Sequence, residues 1–270
     1  MVSVHRADIY RKSDLQNDIK KMNIDSKGTL LIHSSMKAVG NVDGGADTVL
    51  DVWSEYMKDG LLIFPTHTWD RVGKDNPVFD VKTDSSCVGI LGNLFMKRPN
   101  VIRSLHPTHS VAVLGNDAES FVNDEEKIDT PCGRKGCWGK LYDRNATIIF
   151  LGCTLKSNTF IHGVEEWNAV PDRISEETET LKIIDYNGHE IINHMHRHRC
   201  TRAEDISRNY DKLEPVFLAL GAIKYGQFGD AQCVIGNAVK MADITSILLK
   251  KNPDLFLNDK PVPESWYKKL

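Results

Sequence analysis

Long apolar runs are missing from this chain: none approaches the ~20 residues that a helical membrane span needs, so no membrane partner is expected. Neither sign of charge dominates. The 34 Lys and Arg face 37 Asp and Glu for a formal net charge of −3, which removes the electrostatic warrant for a general nucleic-acid binder. Cysteine is scarce and scattered, at Cys87, Cys132, Cys137, Cys153, Cys200 and Cys233. Only Cys132 and Cys137 lie close together, and no second pair of matching spacing completes a zinc site. Reduced thiols in a cytoplasmic protein are expected, in keeping with a polar N-terminus that has no signal-peptide core. There is no Gly-x-Ser-x-Gly elbow, no P-loop ending and no dinucleotide fingerprint.

What is present is an ordinary globular composition over 270 residues, 41% hydrophobic and 26% charged. The length accommodates one domain over residues 1–270, or a core with a smaller annex. Ser13 and Gln16 form a capping-box pattern ahead of Leu15, Ile19 and Met22 at helical spacing. Two short apolar runs, 29–32 and 61–64, flank an amphipathic helix between Ala46 and Met57, which makes a βαβ unit with parallel strands. Further strands are predicted at 111–114 and 147–151, and helices near 91–96, 160–167, 211–220 and 238–249. Asn187-Gly188 between two apolar pairs signals a hairpin, and strand pattern returns between Gly226 and Ile235. The fold class is therefore α/β, with a mostly parallel or mixed central sheet, flanking helices and an antiparallel addition placed around 175–235.

In an open α/β sheet, ligands bind beyond the carboxyl ends of the parallel strands. Three apolar strands end in small polar residues, at His33-Ser34-Ser35, Thr66-His67-Thr68 and Gly152-Cys153-Thr154, and these outline one mouth. The loop from Ser34 to Gly45 opens a helix, whose free N–H groups suit an anionic ligand; Gly44 and Gly45 alone fit an ordinary turn as well. His162 lies three and four residues from Glu165 and Glu166, on one helix face, a spacing for a carboxylate-held base or a plain surface pair. His106 and His109 belong to a loop stiffened by Pro107. His194, His196 and His198 fall on one face if the run is a strand, but no carboxylate or Cys spacing completes a metal site and Arg197, Arg199 and Arg202 lie beside them.

Several of these segments, taken in order, resemble the aminoglycoside 3-N-acetyltransferase family. They are Leu30–Met36 with Val39-Gly40 and Gly44-Gly45-Ala46; Leu62–Thr66; Arg103–Ser110; Leu151–Thr154; Phe160–Glu165; and Gly226–Cys233. The resemblance implies acetyl transfer from acetyl-coenzyme A to an amine, on a fold unrelated to the GNAT acetyltransferases, with no metal. It places His33, Ser34, Ser35, Met36, Lys37, Val39 and Gly40 along coenzyme A, and makes Arg103, Ser104 and His106 supports for the cofactor and its wall. His162 becomes the general base, Glu165 its orienting carboxylate, and Thr66 a candidate oxyanion donor. Asp70, Glu166 and Asp205 are candidates for a cationic small-molecule acceptor, expected to be the 3-amino group of a 2-deoxystreptamine aminoglycoside, in an antibiotic-resistance role. The basic run at 194–202, where an acidic substrate wall is expected, favours a non-antibiotic amine as the alternative acceptor; a coenzyme A-binding protein without catalysis is a separate alternative. A homodimer is expected on size alone.

Overall fold

The computed structural model describes residues 9–268; the first eight residues, which carry part of the export argument, lie outside them. Helix α1 (Lys12–Met22) buries Leu15, Ile19 and Met22 as its spacing predicts. Its cap sits earlier than expected: the Arg11 N–H donates to Asp14 Oδ2 at 2.8 Å, so a carboxylate in the first turn serves the helix start in place of Ser13 and Gln16. Strand β1 (Thr29–Ser34) passes through a 3-10 turn at Met36–Val39 into α2 (Gly45–Tyr56), and β2 (Leu61–Pro65) then runs parallel to β1. The excursion that follows carries β3 (Val78–Asp80) and α3 (Ile90–Phe95). Next come β4 (Ile102–Arg103), β5 (Val111–Leu114), α4 (Ala118–Val122), α5 (Cys137–Asp143), β6 (Thr147–Leu151) and α6 (Thr159–Trp167). The hairpin of β7 (Glu179–Ile184) and β8 (Glu190–Met195) turns at Gly188, whose φ of +83° is the conformation that favours glycine. A 3-10 stretch, Ile206–Leu213, leads into α7 (Glu214–Ala219), where one longer helix was predicted; β9 (Ile223–Phe228), β10 (Ala231–Asn237) and α8 (Ala238–Lys251) follow.

The main sheet has the order β4-β5-β2-β1-β6-β10-β9. Its centre, β2-β1-β6, is parallel, and antiparallel neighbours β5 and β10 flank it. Both faces are covered, which is why the central strands read as unbroken apolar runs. Leu30 and Ile32 pack with α1 and α2 around Trp53, while Leu31, between them, packs on the opposite face with Trp138, Phe160 and Leu248.

The segment 175–235 does not form one annex. The β7-β8 hairpin joins β3 in a separate three-stranded sheet with its own small core of Phe79, Leu181, Ile183 and Met195. The β9-β10 hairpin instead extends the main sheet, because Cys233, Val234 and Ile235 pair with Leu151, Phe150 and Ile149 of β6.

Candidate active site

Beyond the carboxyl ends of β1 and β2, against the start of α6, lies a cavity of about 620 Å³. One side is walled by Phe64, Pro65, Val88, Gly89 and Gly92. On another, Thr159, His162 and Glu165 come from one face of α6 at three-residue steps, as helical geometry requires. The loop after β8 supplies Arg197, His198 and Arg199, and the segment before the 3-10 stretch supplies Glu204 and Asp205. His33, His67 and His109 complete a lining that holds five imidazoles.

His162 and Glu165 do not touch directly, their nearest atoms being 3.8 Å apart. Tyr210 stands between them. Its hydroxyl donates to Glu165 Oε2 at 2.6 Å and lies 2.7 Å from His162 Nδ1. Arg173 Nε donates to Glu165 Oε1 at 2.6 Å; burial raises the pKa of this carboxyl, and the Arg173 charge and the Tyr210 hydroxyl work against that rise. A phenol has one proton, and here it goes to the carboxylate, so the bond to Tyr210 must come from a protonated His162 Nδ1. This fixes the tautomer and leaves Nε2 with a free lone pair. Burial, aided by the neighbouring His198, moves the His162 pKa well below its ordinary 6.5, so the ring is neutral at pH 7.

The other predicted residues divide by what already occupies their polar atoms. His33 and Ser34 line the cavity; Ser35, Met36 and the exposed Lys37 continue from them along the 3-10 turn. Val39 is core, and the α-carbon of Gly40 faces the Asp230 side chain, where a Cβ would lie 2.2 Å from Oδ2. Arg103 is buried, with its guanidinium committed to the carbonyls of Thr66, Val81 and Asp84 and to Ser110 Oγ. Ser104 bonds Glu125, and His106 staples its own loop by accepting the N–H groups of Thr108 and His109. These three build the wall without lining the cavity. Thr66 stands outside the lining: Ser110 donates to the Thr66 carbonyl at 2.7 Å, and the Thr66 hydroxyl lies 3.0 Å from Ser110 Oγ. Of the acceptor candidates, Asp205 lines the cavity, Asp70 pairs with Arg71 outside the lining, and Glu166 lies behind His198.

The three histidines of the basic run separate because β8 ends at Met195 and the alternation stops there. His194 bonds Thr180, His196 donates to the Ser175 carbonyl, and only His198 reaches the cavity. Its Nε2 is 2.7 Å from Glu166 Oε1, which also accepts the Cys132 N–H at 2.8 Å. Donor atoms of Cys132, Glu166 and His198 lie within 4.8 Å of one another, but hydrogen bonds already fill that corner. The sequence gives Tyr210, Arg173, His67 and His198 no part in the chemistry; Tyr210, in the 3-10 stretch, and Arg173, in the loop after α6, have no motif to mark them.

Residues 31–250 match the family described as aminoglycoside 3-N-acetyltransferase. The chain belongs to that family. It is thus an acyltransferase of this type. The SPbeta prophage-derived aminoglycoside N(3')-acetyltransferase-like protein YokD of Bacillus subtilis (strain 168) is 25% identical over 175 residues, which span 57% of this chain and 64% of YokD. The aminoglycoside N(3)-acetyltransferase III of Acinetobacter baumannii is 22% identical over 272 residues, 90% of this chain and 93% of that protein. The solved structure of AAC-IIIb binary with CoASH superposes with a TM-score of 0.80 at 20% identity, covering 95% of this chain and 100% of the other. The architecture is accordingly that of these acetyltransferases and not the GNAT fold. Among the described residues no helix is long and apolar enough to cross a membrane.

Proposed function

We propose that this family member transfers the acetyl group of acetyl-coenzyme A to an amine, with His162 as general base. The chain Arg173–Glu165–Tyr210–His162 carries the reading, because it presents one neutral imidazole nitrogen to a cavity at the carboxyl ends of the parallel strands. Acetyl-coenzyme A supplies an activated thioester. The apolar wall of Phe64, Pro65, Val88, Gly89 and Gly92 suits its long flexible arm, and the adjoining His33–Lys37 segment supplies polar contacts.

His162 Nε2 takes the proton that the amine nitrogen loses as it attacks the thioester carbonyl; the carbon–sulfur bond then breaks, and the coenzyme A sulfur leaves as the free thiol with that proton. The cation formed on the ring is balanced through Tyr210 by the Glu165 carboxylate. Glu165 thereby acts through Tyr210, one step further from the base than a direct pair. The acceptor is proposed to be an aminoglycoside amine, in line with the family and with Glu204 and Asp205 on the cavity wall.

A smaller amine of lower charge is the second reading. Lys156, Arg173, Arg197 and Arg199 face Glu165, Glu204 and Asp205 in the lining, and Arg208 already pairs with the last two. His162→Ala should abolish acceptor-dependent thiol release, while calorimetry still detects coenzyme A binding. Undiminished turnover in that variant would remove His162 from the mechanism.

A further inference from the structure

The ring of His198 lies against that of His162, with centroids 4.4 Å apart and planes inclined by 38°. Its backbone is pinned by an antiparallel bridge to Ile174 and by the Arg199 N–H donating to the Arg173 carbonyl at 3.0 Å. Its edge is pinned by Glu166, whose Oε1 accepts from the Cys132 N–H. The short contact between that carboxyl and His198 Nε2 is a second hydrogen bond at the same oxygen, and it holds the edge of the ring in place.

We propose that His198 is a positioning residue for the base: its ring, held by Glu166, walls one face of His162 against water and holds that ring with Nε2 toward the cavity. The inference rests on His162 being the base, and it gives the third histidine of the basic run a role that metal binding does not.

The surroundings of both rings are consistent with it. His162 also meets Tyr210 and Glu165, with the charges of Arg173 and Asp205 nearby. His198 meets Glu166 and His109, with Arg197 and His106 nearby. Burial, Arg197 and His106 bring the His198 pKa down to about 3, so it stays neutral while His162 takes and releases its proton. A cationic His198 at this spacing would oppose the very charge that catalysis places on His162.

The test is a nitrogen NMR titration of protein labelled at histidine, with the His162 signals assigned by their loss in His162→Ala. In the parent protein His162 should show a bare Nε2 and a midpoint below 6.5. His198→Ala admits water beside the ring; the midpoint should climb by about one unit toward the ordinary value, and kcat should fall about tenfold with the KM for acetyl-coenzyme A unchanged. His198→Phe restores a flat dry face and should return the midpoint and most of kcat. The proposal is overturned if His198→Ala leaves the midpoint and kcat in place, or if the Phe variant behaves like the Ala variant. Failure of the underlying reading shows separately, as turnover surviving in His162→Ala.

Discussion

Tyr210 is the residue on which the site's charge arrangement turns. Its phenol is buried, and both burial and the adjacent Glu165 raise its pKa well above 10, so it works as a neutral connector. Tyr210→Phe removes one oxygen and leaves the Glu165 Oε2 and His162 Nδ1 contacts unmade. We expect about 1–3 kcal/mol of lost stability in denaturant titration and a kcat lower by about 10–100-fold, since the base loses its orienting bond. Arg173→Met leaves a buried carboxylate without its cation and should cost about 3–5 kcal/mol in the same titration. The sequence carried part of this: the three-residue step from His162 to Glu165 marked the pair. It could not show the side chain between them, because Tyr210 is 48 positions from His162 and meets it only through the packing of the 3-10 stretch against the cavity. The surroundings of Thr66 are hidden in the sequence for a related reason. A polar residue at the end of a buried strand promises a ligand contact, yet Ser110, 44 positions away, lies 3.0 Å from its hydroxyl.

At the level of elements, the site depends on how closely α3 and α6 approach the strand ends. Gly92 of α3 lies so near β2 that an added Cβ would stand 2.5 Å from the Pro65 carbonyl oxygen, and the same residue lines the cavity. Gly92→Ala should push α3 away from β2, cost about 1–3 kcal/mol by thermal melting, and raise the KM for acetyl-coenzyme A more than it lowers kcat. Strands β1, β2, β5 and β6 were legible because apolar runs of four or five residues bounded by polar ones have few other fates. The allocation of the two late hairpins was not. The sequence marks a hairpin around Asn187-Gly188 and further strand between Gly226 and Ile235 within one antiparallel addition, and only the tertiary pairing of β10 with β6 and of β7 with β3 separates them into different sheets. The histidines of the 194–198 run share a face only if the strand continues through them, and periodicity says nothing of where a strand stops; β8 ends at Met195.

Across the whole molecule, five neutral histidines gather at one cavity, and this shapes the response to acid. His33 and His198 are brought down to about 3, and His67, His109 and His162 well below 6.5, in each case chiefly by burial. Each is neutral when folded and takes a proton when unfolded below about pH 6.5. Stability is therefore fully present above that pH and is lost as pH falls from 6.5 toward 3. Glu166, raised to about 7 by burial, opposes this, and Glu165, also raised by burial, acts in the same direction; the five imidazoles outnumber the two carboxyls. The melting temperature should drop steeply between pH 7 and pH 5, and an unchanged value over that interval would contradict neutral burial of the cluster. Acetyl transfer through His162 is tested most directly by thiol release. Purified protein and its His162→Ala variant are mixed with acetyl-coenzyme A and a 2-deoxystreptamine aminoglycoside, and free thiol is followed. Release that depends on the acceptor and vanishes in the variant is the predicted result; release of equal rate from both proteins would contradict it.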